Sequence, residues 1–237
     1  MQVRDKVVFI TGASGGIGLA TARRFAAERA KLAIVARSTD ALERLSKELA
    51  QQGHEALPLT ADVRDASQVR RAVEAAVSHF GRLDVLINNA GQAAAGTIAD
   101  VDPADFRQII DLNVFGPLAA MQSVIPVMRR QGGGLIINVS SMVTRMHIPG
   151  LAAYAATKSA LNMLSDTARV ELAPDNIRVV SVYPRMTATN FGKNSLGSRA
   201  MRHEQRQSPA PTDSAESVAE KILDAAVNEP EDQYMDS

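Results

Sequence analysis

"VVFITGASGGIGLATARRFA", residues 7–26, is an apolar run, a glycine-rich turn and an amphipathic stretch in direct succession. That is a strand delivering the chain through a tight turn to the start of a helix. A helix start offers unpaired backbone N–H groups to an anion. Gly12, Gly16 and Gly18 let the backbone turn, approach a pyrophosphate and pack the helix against the sheet. Glycines alone would describe any tight βα turn; their place after the first strand points to a dinucleotide.

The same alternation continues along the chain. "KVVFI" (6–10), "KLAIVA" (31–36), "VLINN" (85–89), "LIINVS" (135–140) and "IRVVSVY" (177–183) read as strands, with a weaker candidate in "EALPLT" (55–60). Their unbroken apolar character suits strands buried on both faces. Helical patterns cover 16–29, 39–51, 66–79, 103–130 and 151–172. Asp102 can cap the helix that Pro103 begins, and Leu161, Leu164, Ala168 and Leu172 form one apolar stripe on the helix at 151–172. The alternation predicts an α/β fold, a doubly wound parallel sheet with helices on both faces and a ligand beyond the carboxyl ends of the strands. With 237 residues, 46% of them hydrophobic, one domain over 1–237 is expected. Between 186 and 212 the periodicity stops, which reads as a mobile substrate lid. Asp213 with Glu216 reads as a capping box opening a last helix to about Asn228, ahead of a short "QYMD" end.

Lysine plus arginine equals aspartate plus glutamate at 26 each, so no net charge draws the chain to nucleic acid or an anionic membrane. Six phenylalanines and three tyrosines are too sparse for a base-stacking platform. The histidines at 54, 79, 147 and 203 lack metal-ligand spacing, and no metal is expected. Without cysteine there is neither a disulfide nor thiolate chemistry. No basic segment leads into an apolar one, and no apolar run reaches the roughly 18 residues of a membrane span, so a cytoplasmic protein is expected.

The spacing G-x-x-x-G-x-G, with "NNAG" (88–91), Asn113 in "DLNVFG", "SS" (140–141) and "YAATK" (154–158), resembles the short-chain dehydrogenase/reductase family of NAD(P)-dependent oxidoreductases over residues 6 to about 190. The resemblance implies a Rossmann fold of seven strands, a homodimer or homotetramer, and interconversion of a carbonyl and an alcohol. It implies cofactor contacts at Gly12, Ser14, Gly16, Ile17 and Gly18, at Asp62 and Val63 of "ADV", and at Gly91, Pro184 and Thr189, with Thr187 as a further candidate. Asp62 corresponds to the residue that bonds the adenine amino group. Asn89 serves either the cofactor or only the strand end. The second strand ends "VARS", with Ala36 at the usual acidic position and Arg37 next. A carboxylate that would repel a 2′-phosphate is missing and a guanidinium that would bind it is present, which predicts preference for NADP(H) over NAD(H).

Carbonyl reduction needs a hydride from the cofactor and a proton from the protein. A tyrosine of ordinary pKa, about 10, is poorly placed to exchange protons near neutrality, and an ammonium one helical turn away would lower it. By the resemblance Tyr154 is the general acid/base, Lys158 tunes it and bonds the nicotinamide ribose, and Asn113 carries a relay water. A serine thirteen residues ahead of the tyrosine, Ser141, holds the substrate oxygen, and Ser140 competes for the role. His147 is a loop histidine or a substrate contact. One departure stands out. "VYPRMTAT" keeps Pro184 but has Arg185 where the family has glycine, a cation that either lines the pocket and favours anionic substrates or points outward. Two alternatives remain. A 3-oxoacyl-carrier-protein reductase would use the excess of Lys193, Arg199, Arg202 and Arg206 over Glu204; a non-catalytic NADPH-sensing protein would use the same fold for binding alone.

Overall fold

The computed structural model describes residues 1–197 and 212–235. Seven parallel strands form one sheet: β1 (Val7–Thr11), β2 (Lys31–Ala36), β3 (Ala56–Thr60), β4 (Val85–Asn88), β6 (Gly134–Val139), β7 (Ile177–Tyr183) and β9 (Asp232–Tyr234), in the order β3-β2-β1-β4-β6-β7-β9. The helices are α1 (Gly16–Ala27), α2 (Thr39–Gln51), α3 (Ala66–Phe80), α4 (Pro103–Ile110), α5 (Gly116–Arg130), α6 (Ala152–Leu172) and α7 (Ala215–Asn228). The order reverses between β1 and β4, which opens a crevice at their carboxyl ends.

Both faces of the sheet are dry. Val8 and Ile10 of β1 pack with Phe25 of α1, Leu42 of α2 and Ile222 of α7, whereas Phe9 between them packs with Val73 of α3, Val124 of α5 and Leu172 of α6. Adjacent strand residues thus enter opposite cores, so unbroken apolar runs were legible as central strands. Inside the second layer a polar chain is fully paired. The Asn88 amide donates to Asn138 Oδ1 at 2.9 Å, the Asn138 amide to Ser165 Oγ at 2.8 Å, and the Ser165 hydroxyl to the Leu161 carbonyl at 2.7 Å.

Three elements differ from the sequence expectation. First, "QYMD" contains strand: β9 pairs with β7, Ser181 to Asp232 through Tyr183 to Tyr234. Second, the helix at 103–130 is wound as a π-helix over Asp111–Phe115, where the Gly116 N–H bonds the Asp111 carbonyl. Residue 117 is proline, so the Asn113 carbonyl has no donor four residues on. Pro103–Arg130 is also long and apolar enough by composition to cross a membrane, a point a search for unbroken apolar runs overlooks. Its Ala120, Met121, Val124 and Met128 are buried in the core. Third, the cap of α7 is Ser214, which accepts from the Ser217 N–H at 3.0 Å; Asp213 is bound elsewhere.

Ser165→Ala should lower unfolding free energy by about 1–3 kcal/mol in urea melts, because it leaves the buried Asn138 amide without its acceptor.

Candidate active site

The glycine-rich turn is shaped by close approach. Gly12 has φ +71°, and a Cβ there would stand 2.9 Å from the Ala90 Cα; a Cβ on Gly18 would stand 2.2 Å from the Gly12 carbonyl oxygen. Asn89 fills the space beside them. Its amide donates to the Thr11 carbonyl at 2.9 Å and to the Gly12 carbonyl at 3.4 Å, so its side chain ties β4 to the turn. Thr11 supports the same junction, its hydroxyl accepting from the Asn89 and Ala90 N–H groups. The sequence reading missed Thr11, although its place directly before Gly12 was a usable signal. Helix α1 starts at this turn with no side-chain cap and no acid in its first turn, whereas Ser38, Asp65, Asp102 and Ser214 cap α2, α3, α4 and α7. Uncapped N–H groups and an open backbone at Gly15, where a Cβ would meet nothing within 4 Å, fit a pyrophosphate. Ser14 is exposed there, and Ile17 packs against the core.

At the far end of the crevice Asp62 is held by Arg64, whose guanidinium donates to both carboxylate oxygens at 2.6–3.1 Å. Arg64 and, less strongly, the nearby Arg37 hold the Asp62 carboxyl below its ordinary pKa. Arg64, unmarked in the sequence reading, therefore puts a second guanidinium near Arg37. The Val63 side chain is buried, facing Gly116.

The nicotinamide end gathers the expected polar residues. Tyr154 and Lys158 face inward from α6, both buried. The Ser141 hydroxyl is near enough to the phenol to lower its pKa; it accepts from the Val143 N–H at 3.2 Å and caps the short turn Met142–Arg145. Ser140 is spent elsewhere, donating to Asn162 Oδ1. Of the two serines, Ser141 is thus the one at the phenol. The Lys158 ammonium donates to the Val139 carbonyl at 2.8 Å. A Cβ on Gly91 would stand 3.6 Å from the Lys158 Nζ and 3.3 Å from the Asn113 Oδ1, so Gly91 lies between the two. The Asn113 side chain is held at both ends: Oδ1 accepts from the Gln92 N–H, and Nδ2 donates to the Gln92 carbonyl and to Thr157 Oγ1.

Electrostatics depart from the sequence expectation. Burial pushes the Tyr154 phenol up to about 12, opposed only by the nearby Ser141 hydroxyl. Burial brings the Lys158 ammonium down to about 8. Lys158 does not lower the phenol here; desolvation disfavours charge on both groups and governs each shift.

The loop after β7 resolves two further alternatives. The Thr187 hydroxyl donates to the Arg185 carbonyl, while the Thr189 side chain lies 3.3 Å from where a Cβ on Gly16 would be. Thr189 is therefore the threonine over the glycine-rich turn. Pro184 accepts from the Met142 N–H, joining this loop to the one carrying Ser141. Arg185 turns away to Asp213, with hydrogen bonds of 2.9 and 3.2 Å. Of the lid expected over 186–212, residues 186–197 make contacts with the body: the Ala188 N–H bonds the Asp213 carbonyl, and β8 (Leu196–Gly197) pairs with β5 (Ala94–Ala95); residues 198–211 lie outside the described residues. Arg199, Arg202, Glu204 and Arg206 lie outside the described residues.

A family model described as short chain dehydrogenase matches residues 6–199. The chain belongs to that family. It is an oxidoreductase whose relatives include mouse dehydrogenase/reductase SDR family member 7B, 35% identical over 94% of this chain and 71% of the relative. An uncharacterized oxidoreductase of Methylorubrum extorquens is 41% identical over 83% of this chain and 78% of its own. Among solved structures, the Thermococcus sibiricus alcohol dehydrogenase complexed with 5-hydroxy-NADP matches with TM-score 0.83 and 30% identity, covering 97% of this chain and 95% of that one. The Brucella melitensis 3-ketoacyl-(acyl-carrier-protein) reductase complexed with NADH matches with TM-score 0.82 and 32% identity, over 94% and 91%. The dehydrogenase fold is thus shared with proteins crystallised with either type of nicotinamide cofactor.

Lys158→Met should remove the cost of burying an ammonium and, after loss of the Val139 hydrogen bond, stabilise the protein by about 1–2 kcal/mol at pH 7. A lowered folded-state pKa destabilises fully below about pH 8. Thermal melts should therefore show the gap between variant and wild type closing as pH rises from there towards the ordinary lysine value.

Proposed function

We propose that this short-chain dehydrogenase interconverts a carbonyl and an alcohol, with Tyr154 as general acid/base and NADP(H) as preferred cofactor. The observation that carries the reading is the buried phenol, beside the Ser141 hydroxyl and one helical turn from Lys158, at the end of a crevice that starts at uncapped α1. A bound reduced nicotinamide supplies the hydride. At neutral pH a phenol near 12 carries its proton, the form needed to protonate an oxygen gaining alkoxide character. Ser141 holds that oxygen against the phenol. Lys158, lowered to about 8, remains mostly charged at pH 7 and can replace the proton. Both amide hydrogens of Asn113 are spent, so its acceptors would hold the relay water: Oδ1, which takes one hydrogen bond, or the backbone carbonyl, which has no donor four residues on at Pro117. Gly91 leaves room beside both for a ribose.

The NADP(H) preference rests on Arg37 and the alanine at 36; the Arg64 guanidinium close by is already paired with Asp62. Exposed Phe115, together with Met163 and Val170 seven residues apart on α6, favours a homodimer or homotetramer in which those faces are covered.

Tyr154→Phe should reduce turnover of a carbonyl panel by about a hundredfold or more while dinucleotide binding persists. Equal turnover would remove the role, and no turnover in either protein would favour a binding protein. Arg37→Asp should shift kcat/KM from NADPH towards NADH by about tenfold or more, measured with one carbonyl substrate.

A further inference from the structure

We propose that the site takes neutral, apolar carbonyl compounds, aryl or alkyl ketones and aldehydes, and discriminates against anionic and polyhydroxylated ones. The inference rests on the oxidoreductase reading and names its substrate class. Around Tyr154 the surfaces are apolar. Ala93, Val143, Ile148, Leu151 and Leu196 cluster with its ring, and the Phe191 ring leans over it with centroids 5.7 Å apart. Phe191 is partly open to solvent, and Met146 and Met186, on the loops that carry Ser141 and Thr189, are exposed. Methionines and a phenylalanine form a soft rim that can adapt to apolar shapes.

Among the described residues, most polar side chains of the bordering loops are committed to their own scaffold. Arg185 is neutralised by Asp213. Arg145 donates to the Tyr234 hydroxyl and lies over the Tyr183 and Tyr234 rings, which stack 4.8 Å apart. Asp100 accepts from Thr97, and Asp102 caps α4. The Gln92 amide donates to the Asn194 carbonyl at 2.6 Å, and the Thr144 hydroxyl to the Ser141 carbonyl. His147 and Lys193 are exposed to solvent. Among the described residues, a carboxylate entering beside Phe191 would lose water without gaining a dedicated cation, and sugar-like hydroxyls would lose water without new partners. Among the described residues, the only polar demand met at the ring is a carbonyl oxygen beside Ser141 and Tyr154.

The matched pair benzoylformate and methyl benzoylformate tests this, since both carry the same aryl ketone and differ in one charge. Calorimetric binding to protein saturated with NADP+ or NAD+, where no reduction can follow, should give about tenfold or more tighter binding of the ester. kcat/KM for reduction should rank them the same way. Phe191→Ala should weaken ester binding several-fold, and Phe191→Arg should narrow the gap between ester and acid. Equal or tighter binding of the acid, no binding of either, or ester affinity indifferent to both Phe191 substitutions would overturn the proposal. Ester-selective binding without turnover would instead sink the oxidoreductase reading and leave the apolar pocket standing.

Discussion

Helix α1 lies so close to the end of β1 that a Cβ on Gly18 would stand 2.2 Å from the Gly12 carbonyl oxygen, and the site is assembled outward from that contact. The approach aims the first N–H groups of α1 at the crevice. It also leaves just enough space for the Asn89 amide, which bonds the Thr11 and Gly12 carbonyls and so aligns the end of β4 with the end of β1. Two residues further on, Gly91 lies between Asn113 and Lys158. A side chain at Gly12 or Gly18 would push these strand ends apart, and with them the cofactor crevice and the proton-handling groups.

Helix α6 concentrates the opposing demands of stability and chemistry on one stripe. Tyr154, Lys158, Leu161, Ser165 and Leu172 are all buried, at spacings that keep them on one side of the helix. Near its middle Ser165 closes a satisfied polar chain, and Leu172 belongs to the apolar core. At the N-terminal end the same burial is unfavourable to charge, raising the phenol and lowering the ammonium. Burial thereby favours the neutral form of both groups, and the ammonium is kept at a cost to stability. Such strain is tolerated where function needs it and is offset by well-packed neighbours.

Arginines at the two ends of the crevice illustrate how little a residue's type says about its role. Arg185, conspicuous in place of the expected glycine, reaches across the loop to Asp213 and ties the root of α7 to the strand end. Arg64, unremarkable in the chain, embraces the carboxylate expected at the adenine. Charge at a site counts only after its partners are subtracted.

Sequence by itself determined the parallel sheet, five of its strands nearly to the residue, a weaker sixth, and the place of each motif. Unbroken apolar runs require burial on both faces, and glycine spacing specifies a backbone that no other residue could follow. It also identified Tyr154, Lys158, Asn113 and Ser141 as a set, because their order along the chain matches a known family. Tertiary structure alone decided the seventh strand, whose three residues carry no pattern of their own and become β9 by pairing with β7. It alone separated Ser141 from Ser140, through an Asn162 that α6 brings alongside. Thr189 was likewise singled out from Thr187 by the nearness of Gly16. The direction of the Tyr154 shift also lay beyond the sequence. Periodicity is local and readable, whereas hydrogen-bond partners and desolvation depend on which distant segments meet and how completely they exclude water.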